Sequence, residues 1–524
     1  MKTMGRRTIF ANYTEEQLLT GTPEEIEAKV LDILDNSIGL HDENKSEIIY
    51  LQNYLYGDQD IKNKKKYTRT DINNKGVENW AWAFQDWKKA FLVGKPIQYA
   101  PLDNKANEEI TKLNNYVNYE DKDQLDQDMY EDIFTVGRGY RYVNSSPVTE
   151  DDEAPIELLN LDVKNTEVVY SSSISHEQLL AFVQVSKKYI VQEVDPNTGE
   201  MAYVDKRYNE YNVYTRNTLY LISDKDGPLK IINKTPIIHN IHIITEYYFN
   251  RKRMSALEIC KDIFDDINYV ENLDKDDIES FVNAIMVFTN AEVDKKSMDA
   301  IKEFGAVSIK STDQKKASVE LLQSRLKSLD TQIYYLRKLQ ALHSILSVPQ
   351  ASQNGEISNA ETGKAVLTGQ GFTSASVRIE NEEKSFKKCD RNSLKVILKI
   401  CKSINDSGIS NLKVSNVDIK FSRDLSDNLL NKTQALINLT TAQIPPEIRN
   451  AVIGLFSDPV SVTRLQEQYI KEREALAKQI NNANNDNSNE NNPNEVNEQN
   501  NKLQKVEENN NQGQWVLHCR MVKW

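Results

Sequence analysis

TEYYFNRKRMSALEICKDIFDDINYVENLDKDDIESFVNAIMVFTN, residues 245–290, decides the architecture. From Ser255 to about Ser280, Leu257, Cys260, Phe264 and Ile267 recur at helical spacing and make one apolar stripe. The rest of that helix carries Asp262, Asp265, Asp266, Glu271, Asp274, Asp276, Asp277 and Glu279. At 1.5 Å per residue it would reach about 39 Å. Strand-like NAIMVFTN (283–290) follows, and FGAVSIKS (304–311) reads as a second strand. Helical spacing resumes around 320–346 through Leu322, Leu326, Leu329, Ile333, Leu336 and Leu339, and Val348-Pro349 ends it. Two long helices flanking a small α/β insert form a hairpin strut.

On the N-terminal side, residues 14–36 predict a short amphipathic helix, with Thr22 as N-cap and Pro23 at its first position. A second helix is expected over 43–56, then a polar, basic loop over 57–74. Residues 76–93 read as helix, with Trp80, Trp82 and Trp87 taken as packing residues. Residues 105–136 read as another helical region. Beyond Gly137 and Gly139 the alternation and the Val, Tyr and Thr content predict an antiparallel sheet over 138–245.

On the C-terminal side, residues 350–372 are rich in Gly, Ser and Asn and read as partly loop. A long charged helix is expected over 373–405, then the strand NVDIKFSRDL and helices at 427–441 and 445–479. The Asn-rich stretch 481–512 cannot bury enough apolar surface to fold alone. The closing WVLHCRMVKW is apolar, and composition gives no physical account of it. The fold class is α+β.

The chain has 524 residues, 39% of them hydrophobic, which fits several units with much polar surface. Its net charge of −13 argues against tight duplex binding, which needs a basic face. It suits a surface along which DNA slides without sticking. Cys260, Cys389, Cys401 and Cys519 form no CxxC pair, so reduced thiols and no metal are expected. Met1 to Phe10 hold no signal-like apolar run, and no stretch reaches about 18 apolar residues. Assembly in the cytoplasm without a membrane is the expectation.

Catalytic patterns are weak. SNAETGKA (358–365) comes nearest to a phosphate-cradling loop, but Ser358 replaces its first glycine and Ala365 its Mg²⁺-binding hydroxyl. His176-Glu177 lacks the second histidine of a zinc protease. His239 and His242, read as strand residues, would face opposite sides. The carboxylate pairs 265–266 and 276–277 sit on adjacent helical positions, about 100° apart, and make no metal clamp. The basic run Lys62 to Arg69 reads as a solvated loop. No catalytic residue and no cofactor is expected.

Six ordered segments together resemble tailed-bacteriophage portal proteins of the siphovirus type. They are YLYGDQDI…NNKGVENWAWAFQDWKKAFLVGKPIQYA (54–100), DIFTVGRGYRYV (132–143), LNLDVKNTEVVY (159–170), residues 245–290, LDTQIYYLRKLQALHSILSVPQASQ…SNAETGKAV (329–366) and VDIKFSRDLSDNLLNKTQALINL (417–439). The similarity spans about residues 40–475. It implies a portal fold: a wing over 1–254, a two-helix stem at 255–282 and 320–349, a small α/β clip at 283–319 and a tunnel loop at 350–372. A long wing helix and strand at 373–425 and a helical crown at 426–480 would follow, then the tail 481–524.

The resemblance also implies a closed homo-oligomeric ring of about twelve subunits, with heterologous interfaces, at one capsid vertex of the virion. Double-stranded DNA would pass through it during packaging and ejection. The terminase large subunit and the head–tail adaptor would dock on it, and the major capsid and scaffolding proteins would surround it. Asn354, Glu356, Ser358 and Lys364 would face DNA from the tunnel loop, and Asp262, Asp266, Asp274 and Asp277 would form an acidic stem surface. Two rivals are a metal-dependent DNA-processing enzyme and another minor head or baseplate protein. Nucleotide hydrolysis and DNA nicking with Mg²⁺ would identify the first, and particles without an axial hole would identify the second.

Overall fold

The computed structural model describes residues 4–67, 70–102, 107–146, 154–194, 201–282, 285–289, 318–322, 328–349, 372–404, 407–421, 429–453 and 459–486. They fall in two compact units, residues 1–425 and 426–524. Helices combine with largely antiparallel sheets, which is the α+β class.

The first unit opens with β1 (Ile9–Ala11), α1 (Glu15–Leu19) and α2 (Pro23–Leu55). α2 is one helix where the sequence predicted two. Its start is a capping box: Thr22 Oγ1 accepts from the Glu25 amide, and the Glu25 carboxylate accepts from the Thr22 amide. Gly39 in the interior costs about 1 kcal/mol relative to alanine. The buried stripe Val30, Ile33, Leu34, Ser37, His41, Asn44, Ile48 and Leu51 runs across that point and outweighs the cost.

α3 (Trp80–Val93), β2 (Gln98–Pro101), α4 (Asn107–Tyr119) and α5 (Lys122–Val136) follow. The helical region expected over 105–136 is thus two helices, broken where Asp121 takes a left-handed φ of 49°. The single sheet expected over 138–245 is two sheets. β3 (Gly139–Ser145), β4 (Ile156–Leu161) and β10 (Ile244–Tyr247) pair in the order β10-β3-β4. β5 (Thr166–Ser171), β6 (Gln178–Val194), β7 (Met201–Tyr214), β8 (Thr218–Ser223) and β9 (Lys230–Pro236) form a six-stranded sheet, with β1 added parallel to β5. α1 and α2 pack on this sheet through Leu18, Val30, Ile33 and Leu34 against Leu180, Phe182, Val213 and Ile222.

α6 (Ala256–Val282), β11 (Ile285–Thr289), β12 (Ser318–Leu322) and α7 (Ser328–Leu346) form the strut. The second helix begins at Ser328, not near 320, because residues 318–322 pair antiparallel with 285–289, from Ile285↔Leu322 to Thr289↔Ser318. Residues 304–311 lie outside the described residues. α8 (Phe372–Ser403) and β13 (Val417–Lys420), antiparallel to β2, complete this unit. Its main core joins α3, α5, β3, α6, α7 and α8 through Phe84, Phe134, Tyr140, Phe264, Leu342 and Phe386.

The second unit holds α9 (Leu429–Thr441), α10 (Pro446–Ile453) and α11 (Pro459–Asp486). α11 extends past residue 481, where an unfolded tail was expected to begin. Among the described residues no helix is long and apolar enough to cross a membrane.

Candidate functional site

The strut is rooted in a buried polar network built from the motif segments. Tyr99, from GKPIQYA, and Tyr247, from TEYY, both donate through their hydroxyls to Asp390 on α8, at 3.0 and 3.1 Å. Lys122 bridges Asp390 and Asp126 at 3.1 and 2.6 Å, and Arg141, from GRGYRYV, donates to Asp126 at 2.9 Å. Arg138, from the same segment, grips Glu167 at 2.6 and 2.8 Å. Burial pushes the Tyr99 and Tyr247 phenols well above their ordinary range, and Asp390 adds to it. Burial opposes ionisation of Glu167, but Arg138 and His41 hold its carboxyl below the ordinary range. Removing one member of such a network strands its charged partner, so the motif residues fix one another. Asp126 and Asp390, the hubs, were not singled out in the sequence because isolated aspartates carry no pattern.

α6 leaves this root with a cap. Ser255 Oγ accepts from the Glu258 amide at 2.9 Å, and the Glu258 carboxylate takes the Arg6 guanidinium and the Gly5 amide. α7 returns antiparallel beside it. Lys338 donates to Asp266 at 2.6 Å, Thr331 to Asp274 at 2.9 Å, and the His343 ring meets Phe84 edge-on at 4.9 Å. The 27 residues of α6 make a rod of about 40 Å.

A strap of extended chain holds the outer part of α6. The amides of Asn74, Gly76 and Glu78 donate to the side-chain oxygens of Asp276, Asn272 and Asn268, at 2.7, 2.6 and 2.7 Å. Two residues of extended chain advance about 6.6 Å and four helical residues about 6.0 Å, so the two ladders stay in step. Asn272 returns its amide to the Gly76 carbonyl at 2.7 Å. Lys64 and Lys66 donate to the same buried Asp276, at 2.8 and 3.2 Å. Burial raises the Asp276 carboxyl, but Lys64, Asn74 and Lys66 outweigh it and bring it down to about 2. The basic loop is therefore not merely solvated. Two of its lysines clamp α6.

The sequence-predicted acidic residues divide. Asp266 and Asp274 face α7. Asp262 and Asp277 are exposed. Asp265 accepts from Tyr54 and Lys261 at 2.7 and 2.6 Å. Asp262, Asp274, Asp277 and Glu279 have no cation paired with them among the described residues, and the exposed Asp262, Asp277 and Glu279 keep the rod's outward negative field. The loop residues Asn354, Glu356, Ser358 and Lys364, and the whole of SNAETGKA, lie outside the described residues.

Other candidates resolve simply. His239 and His242 lie in a connection between strands rather than on one. His239 contacts Ser403 Oγ at 2.8 Å and His242 contacts Glu15 at 3.0 Å. Trp80 and Trp87 pack, Trp87 stacking on Phe91 at 4.8 Å, whereas Trp82 is exposed. Cys260, Cys389 and Cys401 are free and buried, and burial pushes their thiols up to about 12, 11 and 12. Among the described residues no group of His, Cys, Asp and Glu could hold a metal ion.

The described residues thus place a two-helix strut on an α+β body. The family "Phage portal protein, SPP1 Gp6-like" matches residues 34–502, and the chain belongs to it. No curated protein matches the chain.

Proposed function

We propose that the chain is the ring subunit of the channel at one capsid vertex through which double-stranded DNA is packaged and ejected. The observation that carries this reading is the α6–α7 rod with its outward carboxylates Asp262, Asp277 and Glu279. A lumen lined with such residues repels phosphate and lets DNA slide. Residues 255–282 and 320–349 are the stem, its second helix beginning at Ser328. Residues 283–319, which hold β11 and the first residues of β12, are the clip on which the terminase motor and later the head–tail adaptor dock. The wing comprises 1–254 and 373–425, and the crown 426–480. Residues 350–372 are the tunnel loop, in which Asn354, Glu356, Ser358 and Lys364 touch DNA briefly. The chain has no catalytic site, and the motor ATPase is a separate protein.

Electron microscopy of the purified chain tests this. A ring with an axial hole and about twelvefold symmetry is expected. Compact monomers without a hole would refute it. Deleting 351–362 should leave the ring intact and impair DNA packaging or retention; normal packaging would reject the tunnel-loop assignment.

A further inference from the structure

α8 carries the reverse of the α6 pattern. Seven cations and one acid lie between Lys384 and Ser403. The acid is Asp390, buried and bound by Tyr99, Tyr247 and Lys122. Lys384, Lys388, Arg391, Lys395, Lys399 and Lys402 recur at steps of three and four residues, so they line one side of the helix. All six are exposed. The row is about 27 Å long, with roughly one charge per helical turn. None of the six has a carboxylate paired with it among the described residues. Tyr248 and Phe421 flank the row, their ring centres 5.7 and 5.6 Å from the ammonium groups of Lys388 and Lys387, and neither adds negative charge. Glu380 closes the row one turn before Lys384.

A helix face that is merely solvated mixes signs, because opposite charges three or four residues apart attract and like charges repel. Here every neighbouring pair along the row is like-charged. The negative end of the helix dipole favours Lys402 in the last turn, but not the five cations before it. The chain's net charge of −13 conceals this segregation, and one basic helix side is the electrostatic footprint of a nucleic-acid partner.

The opposite side of α8 is fixed in the core through Phe386, Leu394, Ile397 and Cys401. The helix therefore cannot enter a groove and can only lie along a backbone. A duplex offers one phosphate charge per about 1.7 Å of its axis, enough to meet every cation of the row. A second copy of this chain offers less. α2 has Glu24, Asp35 and Asp42 exposed on one side, with Asp32 taken by Tyr13 at 2.9 Å. α6 has Asp262, Asp277 and Glu279 exposed. Neither set matches six cations in a row.

We infer that the basic side of α8 is a seat for the phosphate backbone of duplex DNA. The inference takes the presence of DNA from the channel reading above and adds a second surface, which holds phosphate where the α6 rod repels it. Binding is independent of base sequence, because only backbone is within reach.

The test uses the full chain and a labelled 30-base-pair duplex of mixed sequence, with fluorescence anisotropy across salt and mass photometry for assembly. Six phosphate contacts predict a log–log salt slope of about −5, and K388Q/R391Q/K395Q should bring it to about −3. Affinity at about 100 mM salt should fall at least tenfold in that variant, with an unchanged thermal midpoint. K395Q/K399Q serves where the triple change lowers the melt. The control K188Q/R207Q/K230Q removes three exposed cations from the six-stranded sheet and should leave affinity within about twofold. No binding by the natural chain at low salt overturns the inference, as does an equal loss in the control. Unchanged DNA affinity with weakened assembly of K388Q/R391Q/K395Q overturns it in favour of a contact between copies. Rings whose DNA affinity ignores the change overturn the seat and leave the ring reading standing. A chain that forms no ring yet binds duplex through these residues removes the ring reading and leaves the seat standing.

Discussion

Replacing Asp276 by asparagine should loosen the strap that holds the outer half of α6. Asp276 is 1% exposed. Its Oδ1 accepts from the Asn74 amide at 2.7 Å and side chain at 2.9 Å, and its Oδ2 accepts from Lys64 and Lys66. Asparagine keeps the shape and one acceptor but turns an NH₂ toward two ammonium groups. The carboxyl falls from 3.8 to about 2 in the folded chain. Nearly two pH units correspond to about 2 kcal/mol, or roughly thirtyfold in an opening equilibrium. The amides of Asn74, Gly76 and Glu78 should therefore exchange about thirtyfold faster in D276N at neutral pH, while amides of β5 and β6 stay unchanged. Because the folded value lies below the unfolded one, the contribution is complete above about pH 4 and is lost as pH falls toward 2. The gap between the natural and D276N chains should close over that window. Equal exchange at pH 7, or a gap that persists below pH 2, would refute the reasoning.

Three further outcomes follow from the root of the strut. Arg138→Ala leaves Glu167 charged and buried without its two guanidinium bonds, and should cost about 3–5 kcal/mol in urea unfolding of the first unit. Gly137→Ala places a Cβ 2.0 Å from the Arg253 carbonyl at a φ of +87°, so the backbone must shift; a loss above about 1 kcal/mol is expected, read as a lower thermal midpoint. Lys338→Ala removes a partly exposed pair to Asp266 and should change stability by less than about 1 kcal/mol in the same melt.

Much of the fold was legible where periodicity is long and uniform. α6 and α8 end within two residues of their sequence-based limits because their patterns run for many turns. Boundaries went wrong where tertiary contacts overrode local cues. Gly39 and polar Ser37, His41 and Asn44 mimic a break in α2, yet all three polar side chains are buried, and the Asn44 amide group is held by the Arg7 backbone at 3.0 and 2.9 Å. Leu322 fits a helical stripe with Leu326 and Leu329, but a cross-strand partner at Ile285 claims it first. Division of the β region into two sheets depends on which strands meet, and alternation along one strand does not record that.

The candidate site was legible as chemistry and not as geometry. Nine acids and two lysines between Ala256 and Val282 announce a negative rod. Which acids remain free depends on cations brought from far along the chain: Arg6 to Glu258, Lys338 to Asp266, Lys64 and Lys66 to Asp276. A stripe that looks uniform in sequence is thus sorted by folding. Its inner carboxylates are used to fasten α6 to the body, and its outer ones keep their charge. Under the proposed channel role, both jobs are needed of a rod beside moving DNA. A rod charged on every side would repel its own supports, and one neutralised on every side would present nothing to repel phosphate. The strap ladder satisfies the first requirement at Asn268, Asn272 and Asp276, two amides and one carboxylate. Only the last needs counter-charge, and that is why two lysines of an otherwise unremarkable basic loop end on the same oxygen.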